Sequence, residues 1–171
     1  MAERHYREAG LAPERLSGIA VSRHGYGRPL KKTEMVEAGH PMPDEAGIKS
    51  AEKILRIASA ATENDLVLVL MSGGASANLI SPAEGITLDD KRALTKQLLA
   101  SGANIGEINT VRKHLSRIKG GRLAVAANRA KLVTFAISDV PGDDPSVIGS
   151  GPTVPDTGTL ADARAILQRR Q

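Results

Sequence analysis

Apolar positions along this chain follow two habits. Three short runs, Leu16–Val21, Leu66–Met71 and Leu132–Ser138, are dense in Val, Ile and Leu and do not alternate with polar residues. Strands buried on both faces of a parallel sheet read this way. Other stretches carry helical spacing. From Ala46 to Ala61, Ile48, Ala51, Leu55 and Ala58 share one face, with Pro41 and Pro43 ahead and Asn64 behind as boundaries. Thr87 caps the next helix, with Asp90 in capping-box position and Gly102 at its close. A third helix starts at Gly106, and Ile108, Val111, Leu115 and Ile118 predict one seam running up to Gly120-Gly121. A last helix covers about Leu160 to Gln168. Strands alternating with helices predict an α/β fold: a three-layer, Rossmann-like arrangement with a mainly parallel sheet and helices on both faces. A length of 171 residues predicts a single domain.

Composition narrows the chemistry. The chain has no cysteine, which excludes disulfides, thiolate metal sites and cysteine nucleophiles and fits a reducing, cytoplasmic setting. Tyr6, Tyr26 and Phe135 are the only aromatic residues, too few for a base-stacking platform on single-stranded nucleic acid. The longest apolar run, Leu66–Met71, is strand length and far short of the roughly 18 residues a membrane span needs. The N-terminal stretch is charged and lacks a signal-peptide apolar core.

Glycines and prolines gather at Gly73-Gly74, Gly120-Gly121, Pro141-Gly142 and Gly149–Pro152, mostly just past strands. Ligands of open α/β sheets bind beyond the carboxyl ends of the strands, so these turns are where chemistry is expected. The run Leu66–Met71 feeds Ser72-Gly73-Gly74-Ala75-Ser76. Glycines there let backbone amides approach a phosphate or carboxylate, and the hydroxyls add donors. An unliganded strand-to-helix turn has the same composition, so both readings stand. The turn lacks the Gly-Lys-Ser/Thr ending of a Walker loop, the spaced glycines of a dinucleotide fingerprint and the Gly-x-Ser-x-Gly of a hydrolase elbow.

The chain is +4 overall, yet residues 108–138 contain no acid and seven cations: Arg112, Lys113, Arg117, Lys119, Arg122, Arg129 and Lys131. On helical spacing, Asn109, Lys113, Ser116 and Arg117 fall opposite the apolar seam and predict a clamp for a phosphorylated or carboxylated small molecule. A solvated basic face and a nucleic-acid surface are the alternatives. The third run leads into Asp139-Val-Pro-Gly-Asp143-Asp144, whose carboxylates could hold Mg²⁺ or accept a hydroxyl proton. Aspartate is equally a turn and cap residue. Ser150-Gly151-Pro152-Thr153 forms a second small-residue loop with donors. His24 and His40 sit in loops that either line a pocket or hold a structural hydrogen bond, and no histidine pair has zinc-ligand spacing.

Taken together, Glu37-Ala-Gly-His-Pro-Met-Pro-Asp44, Ser72-Gly-Gly-Ala-Ser76, Glu107-Ile-Asn-Thr-Val-Arg-Lys-His-Leu-Ser-Arg-Ile-Lys-Gly-Gly-Arg122 and Ser138-Asp-Val-Pro-Gly-Asp-Asp-Pro-Ser-Val-Ile-Gly-Ser-Gly-Pro-Thr153 resemble the type II glycerate kinase family. Some members bear the name hydroxypyruvate reductase. The resemblance runs from about Leu16 to the end of the chain. It implies two α/β domains around a cleft and transfer of phosphate from ATP, with Mg²⁺, to D-glycerate, giving 2-phosphoglycerate. On these motifs, Ser72, Gly73, Gly74, Ser76, Ser150 and Gly151 are expected to bind phosphate or carboxylate. Lys113, Arg117 and Asn109 are expected to neutralise the transferring group. Lys113 and Asp139 are expected in catalysis, and Asp139, Asp143 and Asp144 at the metal. Such kinases usually open further upstream, on a strand and a lysine-bearing glycine turn, and continue into a second domain. The chain therefore reads as part of a larger N-terminal domain, not expected to turn over alone, with the missing domain as partner and a homo-oligomer as an open alternative. Ala75-Ser76-Ala77 departs from the family's usual Gly-Ser-Ser, removing one glycine and one hydroxyl from the cradle. A nicotinamide-dependent hydroxypyruvate reductase and a non-catalytic anion- or nucleic-acid-binding module are the competing functions.

Overall fold

The computed structural model describes residues 2–170. Elements follow in the order α1 (Ala2–Glu8), β1 (Gly18–Arg23), β2 (Thr33–Ala38), α2 (Glu45–Ala60), β3 (Leu66–Met71), α3 (Ala75–Asn78), α4 (Leu88–Ala100), α5 (Ile105–His114), α6 (Arg122–Ala126), β4 (Lys131–Ala136) and α7 (Leu160–Arg169). The fold is α/β with parallel strands, as the alternation of patterns predicts.

The strands form two separate parallel pairs, β1 with β2 and β3 with β4. Strand β2 escapes the hydrophobic pattern because Thr-Glu-Met-Val-Glu-Ala carries two acids. Those acids and its neighbours' amides are absorbed locally. Gly27 N–H donates to Glu37 (2.8 Å), and the Glu3 carboxylate of α1 accepts from the amides of Lys31, Lys32 and Thr33 (2.9, 3.0 and 2.7 Å) and from the Thr33 hydroxyl. These hydrogen bonds hold the Glu3 carboxyl at a pKa of about 2, led by the Thr33 hydroxyl. Helix α2, capped by Asp44 on the amide of Gly47 (3.0 Å), lies across β1 and β2.

Two cores result. The first joins Ala51 and Ala58 of α2, Leu123 of α6, Ala127 and Ile118 to one face of the β3–β4 pair, where Val67, Val69 and Leu132 point. The second joins Leu98 of α4, Ile108 and Val111 of α5, and Ala163 and Ile166 of α7. The seam predicted over 108–118 is therefore split. Helix α5 stops at His114; Ser116 pairs with Pro82 in an isolated bridge and Arg117 N–H donates to Ser81 (2.9 Å), so Ile118 turns into the other core. Tertiary pairing overrides the helical period here. The predicted capping box at Thr87 and Asp90 is present, and equivalent boxes open α5 (Asn104, Glu107) and α7 (Thr159, Asp162).

On the opposite face of β3–β4 the expected helical layer is absent among the described residues. Leu66, Leu70, Phe135 and Ile137 are 49%, 59%, 63% and 75% exposed. Apolar residues on both faces of these strands carried the prediction of double burial, and one face alone is covered. No helix of the described residues is long and apolar enough to cross a membrane.

Candidate active site

Register builds the site. The parallel pairing ends with Met71 opposite Ala136, and Ile137 N–H donates to Met71 O (2.9 Å), so both chains leave the pair side by side. Residues 72–74 and 137–139 must then be neighbours. Gly74 adopts φ +88°, a conformation that side chains rarely tolerate. A Cβ there would also lie 3.1–3.2 Å from the His40 imidazole. At Gly73 the demand is space alone: a Cβ would stand 2.8 Å from Asp139 Oδ2. An imidazole and a carboxylate thus flank the turn, both on exposed residues. Among the described residues, the amides of Gly73, Gly74 and Ser76 donate to no protein acceptor.

The Ser150-Gly151 loop closes on the same turn. Ser76 and Ser150 hydroxyls are 3.1 Å apart, and Gly149 packs on Met71 and Ala75. Gly149, Ser150 and Gly151 all have left-handed φ (+58°, +64°, +58°), with Ser150 fully buried. For a serine this conformation costs on the order of 1 kcal/mol or more, and strain of this kind collects at functional sites. Gly120 N–H donates to Ser150 O (3.1 Å) and Gly121 N–H to Gly151 O (2.7 Å), which fixes the loop against the segment after α5. Asn78 Nδ2 donates to Ala38 O and Gly39 O (3.2 Å each), anchoring the His40 loop to α3.

The basic clamp is only partly assembled. Asn109 and Lys113 are buried on α5, which packs against the Ile148–Ser150 turn. Lys113 Nζ lies 3.3 Å from Asp156 Oδ1, with His114 Nδ1 4.0 Å from the other oxygen, so its charge is already part-neutralised. Asp156 went unnoticed in the sequence because forty-odd residues separate it from Lys113. Arg117 does not join the clamp. It lies beyond the end of α5, is exposed, and lines an open groove of about 700 Å³ with Glu45, Glu52 and Glu84.

The three-aspartate metal site is not formed either: among the described residues no group of three or more His, Asp or Glu side chains is close enough to hold an ion. Asp139 rests on Gly73, while Asp144 accepts from the amide of Ser146 (2.8 Å), which, with Lys113 nearby, lowers its carboxyl pKa. The Pro-Gly turn separates the carboxylates, and Asp143 sits at φ +52°. His24 is structural, its Nε2 2.8 Å from the Asp44 cap. His40 lies beside Gly74.

Ser72, Gly73, Gly74, Ser76, Asp139, Ser150 and Gly151 thus lie at the carboxyl ends of β3 and β4, and α5, which carries Asn109 and Lys113, packs on the Ile148–Ser150 turn. In open α/β sheets, ligands bind in general beyond this end of the strands. The whole chain, residues 1–171, matches the family described as a domain of unknown function, DUF4147, and belongs to it. A glycerate 2-kinase of Pyrococcus horikoshii is 51% identical over 88% of this chain and 34% of its own length. A protein of Agrobacterium vitis, provisionally named a hydroxypyruvate reductase, is 60% identical over 90% of this chain and 35% of its own. The crystal structure of a Thermotoga maritima glycerate kinase superposes with a TM-score of 0.91 at 44% identity, covering 99% of this chain and 41% of that one. The chain spans about a third to two-fifths of the length of the curated relatives it matches.

Proposed function

We propose that this chain supplies the substrate-facing loops of an ATP-dependent glycerate kinase that makes 2-phosphoglycerate. One observation carries the reading: in-register ends of β3 and β4 set unpaired amides and hydroxyls of the Ser72–Ser76 turn beside the Asp139 carboxylate. The names of two relatives at 47% and 51% identity, a D-glycerate 2-kinase and a glycerate 2-kinase, support the substrate and the hydroxyl.

In this reading the turn amides with Ser72, Ser76 and the Ser150-Gly151 loop hold the glycerate carboxylate or a phosphate. The glycerate hydroxyl oxygen bonds to the γ-phosphorus as the bond from that phosphorus to the bridging oxygen breaks, and ADP leaves with the electron pair. Asp139 accepts the hydroxyl proton. Lys113 and Asn109 stabilise charge from the flank, with Asp156 setting the position of the ammonium. Mg²⁺ usually takes one or two carboxylates plus phosphate oxygens and waters, so the exposed Asp143 would hold it without a protein cage while Asp139 stays free as the base. The ion's contribution when bound is to neutralise phosphate charge.

The test grafts residues 16–169 into the Thermotoga maritima relative in place of the matching segment. D-glycerate with ATP should be phosphorylated by the chimaera and not by the 171-residue chain alone. A folded chimaera that fails with ATP and instead oxidises NADH with hydroxypyruvate refutes the kinase reading in favour of the reductase.

A further inference from the structure

Four cations are buried or half-buried with no carboxylate within 4 Å among the described residues: Lys91 on α4, Arg112 on α5, Lys119 between α5 and α6, and Arg122 at the start of α6. Lys119 is the largest of the fully buried side chains, at 2% exposure. A buried ammonium without a counter-charge is costly, and it persists only where acceptors converge on it. Its Nζ donates to Ser76 O (3.0 Å) and reaches Gly149 O (3.5 Å). These carbonyls belong to the two loops whose serine hydroxyls meet 3.1 Å apart. The ammonium therefore ties the two loops together from behind, and among the described residues no carboxylate lies within 4 Å to balance its charge.

We propose that Lys119 is a positioning residue of the anion site: it clamps the Ser76 turn to the Gly149 loop, and its unbalanced charge is complementary to an oxyanion held at the Ser76–Ser150 pair. The proposal rests on reading that rim as an anion site. Burial, with Lys91 and Arg112 as like-charged neighbours, brings its pKa down to about 7 in the free protein. Among the described residues no carboxylate of α4 or α5 pairs with it. On the solvent side of the turn, His40 and Asp139 are the other titratable groups. A bound oxyanion favours the charged amine, so binding and protonation assist each other by the same factor. Raising the pH past neutrality discharges Lys119 and weakens binding.

Sulfate, standing for a phosphoryl group, and D-glycerate, for a carboxylate, are both fully ionised between pH 6.5 and 9 and serve as probes. Titrations use the whole chain in a His40→Gln background, followed by backbone amide shifts and the ε-carbon signal of isotopically labelled lysine. Amides of residues 72–76 and 148–151 should move. The Lys119 midpoint should rise by about one pH unit, and affinity should fall about tenfold from pH 6.5 to 9. In Lys119→Met that pH dependence should vanish; should this variant not fold, the direct titration of Lys119 still decides. Rim amides unmoved by saturating sulfate and glycerate overturn the site reading itself. Rim amides that move while the Lys119 signal and midpoint stay fixed overturn the role of Lys119 alone.

Discussion

Replacing Gly73 by alanine isolates the turn-to-carboxylate contact from backbone effects. Gly73 is not in the left-handed region, so alanine is sterically allowed by its φ, and the new Cβ meets only Asp139 Oδ2 at 2.8 Å. Ordinary contact begins near 3.4 Å, so the carboxylate must retreat by about 0.6 Å. Asp139 is exposed and its side chain can swing, which keeps the stability cost within about 0.5 kcal/mol. A displaced reacting group is another matter: a misplacement approaching 1 Å costs up to ~10²-fold in rate, or roughly 2.7 kcal/mol of barrier. In the chimaera, Gly73→Ala should therefore melt with the parent yet lose ten- to a hundredfold in kcat with glycerate and ATP. Gly74→Ala is the contrast, since its φ of +88° adds about 1 kcal/mol of destabilisation and the new Cβ presses on His40. A Gly73→Ala protein with unchanged melting and unchanged kcat would show that Asp139 has no part in the chemistry.

Three further outcomes follow from burial and charge. Folding lowers the pKa of Lys119 to about 7 and of Lys91 to about 8, each chiefly by burial, so the unfolded chain binds more protons above neutrality. Stability in urea should therefore rise from pH 7 to pH 9 by a few kcal/mol, and a flat or falling profile would contradict the uncompensated burial. Lys113→Ala removes the ammonium from the Asp156 carboxylate, 14% exposed, leaving it the Gly158 amide and His114, and should cost about 2 kcal/mol, with part recovered in the Lys113→Ala, Asp156→Ala double variant; exposed Arg117→Ala should cost under about 0.5 kcal/mol in the same melts. The uncovered face of β3–β4 should bind an apolar fluorescent dye, and Phe135→Ser with Ile137→Ser should remove much of that signal while shifting the urea midpoint little. Equal dye binding by both proteins would place the apolar surface elsewhere.

Local physics made several features legible before any folding was considered. The run Leu66–Met71 became β3 with the same bounds, because six consecutive apolar residues leave few other conformations that bury them. The Thr87–Asp90 capping box and the Ser-Gly-Gly turn are likewise short-range demands on amides and φ. What sequence spacing could not reveal is anything settled by partners distant along the chain. Strand β2 exists because β1, Glu3 and Gly27 satisfy its polar groups. Helix α5 stops early because residues 81–82 capture 116–117, sending Ile118 into one core and Arg117 away from the clamp. Lys119 looked like one more cation in a basic stretch, and its burial behind Ser76 and Gly149 is a product of loop packing. Sequence alone determined which turns could bind an anion, since that depends on residue type. Which groups meet there was decided by the register of β3 on β4, a choice made through hydrogen bonds between segments some sixty residues apart.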